Sequence, residues 1–222
     1  MKFGVVLVCA GRGKRLKKRT DKAFVKIEGI PLFYYSYKVF KETEGISRIV
    51  CVTRREYFPF IRSYVKDKSL KLTAGGLRRQ DSVYQGLLSL DSDIDYVIIH
   101  DAARPFIGCR MIRKIKKEVI KHKAVSLALK VKDAVKKGKK GFIEKTVERK
   151  ELYSIQTPQA FSKELLLAAY RRFRKVPVYD DAEMIELMGR KVKIIEGAFL
   201  NIKITYPDDL ILAKKILGLS KQ

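Results

Sequence analysis

The sequence predicts an α/β fold, with a mostly parallel sheet covered by helices on both faces. Residues 3–9 (FGVVLVC) and 96–100 (YVIIH) are nearly unbroken apolar runs. Such runs read as strands buried on both faces, because a half-exposed strand would alternate with polar residues. These runs also alternate with helix-spaced segments along the chain, the pattern of a parallel sheet joined by helical crossovers. The length of 222 residues with 46% hydrophobic content suits a single domain spanning residues 1–222.

The elements follow in order. Residues 3–9 form the first strand. Residues 31–40 carry apolar side chains at helical spacing, with Pro31 at the first helical position. Residues 48–53 (RIVCVT) are a strand, 57–65 a helix, 70–73 a short strand and 82–90 a helix. Residues 96–100 are a third buried strand, followed by a helix over 111–120 and a strand over 125–131. Residues 138–141 carry glycine at both ends and read as a hairpin turn, with 142–147 returning antiparallel. Apolar residues at 165, 166, 169, 170 and 173 mark a helix stripe. Residues 182–188 are helical and stop at Gly189. A strand over 192–195 and a helix over 207–217 complete the chain, with Thr205 placed as its cap.

Charge bounds the function. Lys and Arg number 49 against 24 Asp and Glu, a formal net charge of +25. Such a chain favours anionic partners, yet the basic residues are dispersed over many segments and mostly read as solvated helix faces. No helix-turn-helix, zinc or RNP pattern is present, so nucleic acid is expected to bind only non-specifically. Three cysteines at wide spacing suggest a reducing, cytoplasmic setting. No apolar run reaches the length of a membrane span, and the N-terminus lacks the pattern of a signal peptide.

Ligands of parallel sheets bind at the carboxyl ends of the strands, so the loops there are the informative ones. The first strand runs into AGRGKR, residues 10–15. A dinucleotide fingerprint needs glycine where Leu16 stands. A P-loop needs glycine where Val8 stands and Ser or Thr where Arg15 stands. The segment is therefore a glycine turn carrying Arg12, Lys14, Arg15 and then Lys22. It is either a tight connection with surface charges or a polyphosphate loop in which Arg15 and Lys22 face charge built up in phosphoryl transfer. GGLRRQDSV (75–83) can present amides and the Ser82 hydroxyl to a ligand, or can simply start a helix capped by Asp81 or Ser82. HDAARP (100–105) places Asp101 where a metal or a hydroxyl would be held. His100 reads as a satisfied buried histidine, and Arg104 before Pro105 as an aimed guanidinium. TVER (146–149), QTPQAF (156–161) and NIKITYPDDL (201–210) complete the set.

The strings AGRGKR, GGLRRQDSV, HDAARP, QTPQAF and NIKITYPDDL, in that order across residues 10–210, resemble the 2-C-methyl-D-erythritol 4-phosphate cytidylyltransferase family of non-mevalonate isoprenoid biosynthesis. The resemblance implies a Rossmann-like nucleotidyltransferase sheet, mostly parallel, with a protruding β-hairpin arm at about 131–149 that joins a homodimer. It implies transfer of the cytidylyl group of CTP to methylerythritol phosphate, with Mg²⁺ and release of pyrophosphate. By the same resemblance, Ala10, Gly11, Gly13, Gly75, Ser82 and Ala102 contact CTP, and Arg15 and Lys22 stabilise the transition state. Arg149, supplied across the dimer, and Lys203 position the acceptor phosphate, with Asp101, Arg104 and Thr205 also on the substrate side. The resemblance leaves the metal ligands open, with Asp101 as one candidate and the CTP phosphates as the other.

Three departures stand out. Asp21-Lys22-Ala23 replaces the usual Pro-Lys-Gln, so an acid adjoins the lysine and is expected to offset part of its charge. Asp133-Ala134 replaces Asp-Thr in the arm, and Tyr179-Asp180 replaces Thr-Asp. The last two are expected to reshape the acceptor pocket. A ribitol 5-phosphate cytidylyltransferase is the nearest alternative reading, and a nucleic-acid-binding protein a distant one.

Overall fold

The computed structural model describes residues 1–11, 13, 16, 20–67 and 69–219. Arg15 and its neighbours Arg12 and Lys14 lie outside the described residues.

Strand β1 (Phe3–Val8) is followed by a short ribbon, β2 (Lys26–Ile27) and β3 (Ile30–Pro31), and by helix α1 (Leu32–Glu42). Then come β4 (Ile46–Thr53), α2 (Phe58–Tyr64), β5 (Leu70–Ala74), α3 (Arg79–Leu88), β6 (Tyr96–Asp101) and α4 (Cys109–His122). β7 (Ala124–Lys130) leads into the arm strands β8 (Val135–Lys139) and β9 (Phe142–Val147), and β10 (Tyr153–Ser162) returns to the body. Helices α5 (Lys163–Phe173) and α6 (Asp181–Leu187), strand β11 (Lys193–Glu196) and α7 (Pro207–Leu219) complete the chain.

The central sheet has seven strands in the order β11-β7-β10-β6-β1-β4-β5. β10 runs antiparallel to both neighbours, and the other adjacent pairs are parallel. β1 lies between β4 and β6, where the direction of winding reverses, so the crevice for a ligand opens at its carboxyl end. Side chains alternate across the sheet. Phe3, Val5 and Leu7 pack with Phe33 and Phe40 of α1, Ile61 of α2 and Ile112 of α4. Val6 packs on the opposite face with Val83 of α3, Tyr170 of α5 and Met184 of α6. A smaller cluster of Ile27, Leu32, Ile204 and Ala213 seats α7 against the ribbon. Among the described residues, no helix is long and apolar enough to cross a membrane.

Several elements differ from the sequence reading. Pro31 sits just outside α1, in extended conformation at its N-cap. α3 starts at Arg79, not at residue 82, because Asp81 reaches back to the Arg78 amide (3.1 Å) and closes the first turn. Thr205 does not cap α7 with its hydroxyl, which donates to the Lys203 carbonyl. Asp209 takes the Thr205 and Tyr206 amides instead, at 2.6 and 2.7 Å. The hairpin turns at Lys140 and Gly141, both in left-handed conformation, while Gly138 belongs to β8. β10 has no counterpart in the pattern of apolar runs. Its register against β7 breaks between Gln156 and Gln159, the stretch that contains Pro158.

Candidate active site

Loops from the carboxyl ends of β1, β4, β5 and β6 meet the chain before α7 around one cavity of about 650 Å³. Ala10, Gly11, Gly13, Lys22, Gly75, Ser82, Asp101 and Lys203 all line it. Two glycines make the walls fit. Gly13 is left-handed (φ 60°), and a side chain there would press on the Lys22 backbone. Gly75 lies where a Cβ would come within 2.8 Å of Ala10 and 2.9 Å of the Ser82 hydroxyl, so the β1 and β5 loops touch because residue 75 has no side chain. Ser82 also accepts the Gly76 amide at 3.1 Å, which fixes the glycine pair against α3.

The wall is strongly cationic. Lys22, Arg54, Arg78, Arg79 and Lys203 line it, against the single carboxylate of Asp101. Asp101 accepts Lys203 Nζ at 2.6 Å and Arg79 Nε at 3.0 Å. Burial alone would raise the Asp101 carboxyl, but Arg79 and then Lys203 outweigh it and hold the group well below the usual carboxylate range. Arg79 pairs again behind the wall with Asp181 at 2.9 Å. That buried carboxylate is bonded by Tyr170 (2.6 Å), and burial pushes its pKa up. Burial opposes the charge of Arg79, yet its two acids keep it firmly protonated. Lys22 Nζ stands 3.5 Å from the Thr205 hydroxyl, which does not itself line the cavity, so the lysine reaches the segment before α7.

The segment bearing Lys203 is stapled down on both sides. Arg104 donates to the Asn201 carbonyl at 2.8 Å, and Ile204 donates to the Ala103 carbonyl at 2.8 Å. Asn201 is fully buried and donates to Gln156 and Thr157. Arg104 thus clamps the loop and does not line the cavity. Ala102 is buried beneath the wall, with its amide on the Val8 carbonyl, while Ala103 lines the cavity. His100 is fully buried. Its Nε2–H donates to the Arg104 carbonyl at 3.0 Å, and its Nδ1 has no partner. Burial lowers its pKa to about 4, so it stays neutral.

The expectation that Asp21 offsets Lys22 is corrected by its surroundings. The Asp21 carboxylate is gripped by Arg54 at 2.8 and 2.9 Å. Nor do the other two departures touch this cavity. Tyr179 is 97% exposed, Ala134 is exposed, and neither lines it. Asp180 caps α6 by accepting the Glu183 amide. Arg149 is exposed at the base of the arm and is absent from the cavity of its own chain. Arg54, Arg78 and Arg79 are the charged wall residues that sequence reasoning did not single out. The only signal for Arg79 was a pair of arginines at a helix start, of which one turns inward.

No cluster of three or more His, Cys, Asp or Glu suited to a metal exists among the described residues. Asp101 alone offers a wall carboxylate, which fits a hard cation that keeps phosphate and water ligands and does not fit a dedicated all-protein cage.

Comparisons with known proteins identify the family of the chain. The family model described as IspD, 2-C-methyl-D-erythritol 4-phosphate cytidylyltransferase, matches residues 3–219. A protein of that name from Caldanaerobacter subterraneus subsp. tengcongensis is 39% identical, covering 98% of this chain and 99% of its own. One from Bacillus mycoides is 35% identical, over 99% of this chain and 100% of its own. The crystal structure of 4-diphosphocytidyl-2C-methyl-D-erythritol synthase from Anaerococcus prevotii superposes with a TM-score of 0.87 at 30% identity, covering 98% and 96% of the two chains. The enzyme from Thermus thermophilus gives a TM-score of 0.82 at 26% identity, covering 96% of this chain and 98% of its own. With its folded body matched almost end to end, this chain belongs to the 2-C-methyl-D-erythritol 4-phosphate cytidylyltransferase family.

Proposed function

We propose that the chain transfers the cytidylyl group of CTP to 2-C-methyl-D-erythritol 4-phosphate, giving 4-CDP-2-C-methyl-D-erythritol and pyrophosphate. The observation that carries this reading is the lining of one cavity, where among the described residues two glycine turns stand beside Lys22, Arg79 and Lys203, with Asp101 as the only lining carboxylate. That is a wall for a polyphosphate.

The chemistry needs no general base, because a phosphate monoester oxygen is already an anion at neutral pH. The obstacle is an anion attacking an anion, followed by departure of a more highly charged pyrophosphate. Positioned cations answer both problems. Lys22 faces the phosphates of CTP and the charge that grows on them, and the family resemblance assigns Arg15, which lies outside the described residues, the same role. Lys203 is held at the cavity by Asp101 and orients the acceptor phosphate. Asp101 would hold Mg²⁺ together with CTP phosphates and water, and the ion when bound neutralises phosphate charge.

We assign Arg149 to the site of a partner copy, in a homodimer joined through the arm. Its exposure at the arm supports this, as do Phe142 and Ile143, which stand 78% and 70% exposed on a hairpin that buries little by itself. The three unpaired thiols suit a cytoplasmic setting. The dispersed positive charge supports only non-specific binding of nucleic acid.

Pyrophosphate release with CTP and Mg²⁺, offered methylerythritol phosphate and ribitol 5-phosphate in parallel, tests the reading. Turnover with the first alone is expected. Turnover with the second alone would move the acceptor assignment, and silence with both would overturn the reaction.

A further inference from the structure

Asp21 is a buried acid immediately before Lys22, where the family resemblance leads one to expect proline. Its side chain is 3% exposed. A buried carboxylate needs a charged or hydrogen-bonding partner to remain ionised, and Arg54, at the end of β4, supplies one. Arg54 Nε donates to Asp21 Oδ2 at 2.8 Å and Nη2 to Oδ1 at 2.9 Å, a two-pronged pair that fixes orientation as well as distance. The third guanidinium nitrogen, Nη1, is taken by Glu56 at 2.9 Å. Arg54 borders the cavity, but all three nitrogens are committed, so its influence runs through Asp21.

The same segment holds Lys22 from its other side. The Asp21 amide donates to the Tyr57 hydroxyl at 3.0 Å. The Tyr57 ring stacks on Phe24 at 4.0 Å between centroids, and the Arg54 guanidinium lies 5.2 Å from the Tyr57 centroid. Residues 21 and 24 therefore bracket Lys22, and both are pinned to residues 54–57. The Lys22 amide reaches the Gly11 carbonyl at 3.3 Å, closing the bracket onto the β1 loop.

We propose that the Asp21–Arg54 ion pair is a positioning device for Lys22. It ties the lysine's backbone to the end of β4 and so fixes where the Lys22 side chain leaves the β1 loop. The proposal rests on the cytidylyltransferase reading.

The test compares Asp21→Asn, Arg54→Met, Arg54→Lys and the double variant Asp21→Asn with Arg54→Met. Turnover is measured along with hydrogen exchange at the amides of residues 22–25, and the amides of β1 and β6 report whether the fold stands. Each neutralising single variant should lower kcat about 10-fold and change KM for CTP less than about threefold, as misplacement of a catalytic group does. The double variant should be no worse than the poorer single, and Arg54→Lys should recover part of the loss. Residues 22–25 should lose exchange protection while β1 and β6 keep theirs. A kcat within about twofold of wild type in both singles, fully additive losses or unchanged exchange at 22–25 would each overturn the proposal. Wild-type protein that turns over no acceptor would instead overturn the functional reading, and the exchange measurement would then decide the positioning claim alone.

Discussion

At the cavity, loops leave strands that are buried on both faces, and each loop is tied to another by hydrogen bonds or ion pairs. At the arm, β8 and β9 pair only with each other, and nearly every side chain is in solvent. The two regions carry the two halves of the proposed reaction. The nucleotide half is preorganised by the sheet, because Gly75 directly follows β5 and fits against Ala10 and Ser82. In the proposed reaction the acceptor half would use Lys203, stapled to the same sheet, and Arg149, which does not line this cavity in its own chain. A charge that must meet a transition state is held rigidly, whereas a charge that captures a substrate can sit on an element that is completed elsewhere.

The largest expected effect breaks the stiff half. Arg79→Met strands the buried carboxylates Asp101 and Asp181 and should cost about 3–5 kcal/mol of stability, read from urea unfolding. A loss below about 1 kcal/mol would show that the wall does not depend on that cation. The next concerns His100, buried and neutral behind the same wall. Its pKa is lowered to about 4 in the fold, so the unfolded chain binds the extra proton between about pH 6.5 and 4. Stability should therefore fall as pH drops through that window, by up to about 3 kcal/mol. His100→Gln should flatten that part of the pH profile, and an unchanged slope would remove histidine as its source.

Lys22→Ala should lower kcat about 10²-fold with the fold intact, by analogy with the loss of an oxyanion donor. A normal kcat would detach the lysine from the chemistry. The smallest effect falls on the arm. Arg149→Ala should raise KM for the acceptor about 10-fold while leaving CTP affinity alone, as loss of a charged substrate contact does. An unchanged KM would mean that this arm does not close the site.

Much of the sheet was legible because its strands are apolar on both faces, and the hairpin because glycines mark its turn. β10 was not, since its central residues Gln156, Thr157 and Gln159 are polar yet buried. They satisfy one another's neighbours: Gln159 bonds Ser126 and Asp180, and Gln156 bonds Ala198 and Asn201. A hydrophobic pattern cannot register a strand whose burial is compensated by hydrogen bonds. In the site, the glycine turns and Asp101 could be found because each ends or follows a strand, and Lys203 because it lies just before the last helix, while the roles of Lys22 and Lys203 came from the family resemblance. The Asp21–Arg54 pair could not, since 33 residues separate its members and no local spacing rule links them. Arg104 was legible as an aimed guanidinium, but its targets are the Asn201 and Ile155 carbonyls, contacts that exist only once the chain has folded.

The division of the site between a rigid wall and a borrowed arm is tested most directly by mixing two impaired variants. Lys22→Ala and Arg149→Ala are assayed separately and as an equimolar mixture after subunit exchange, at acceptor concentrations well below the raised KM. If Arg149 serves the partner's cavity, the mixed dimer holds one site with both residues intact, and the mixture should regain about a quarter of wild-type activity. If the mixture stays at the mean of the two variants, each chain uses its own arginine, and the account of the acceptor half is wrong.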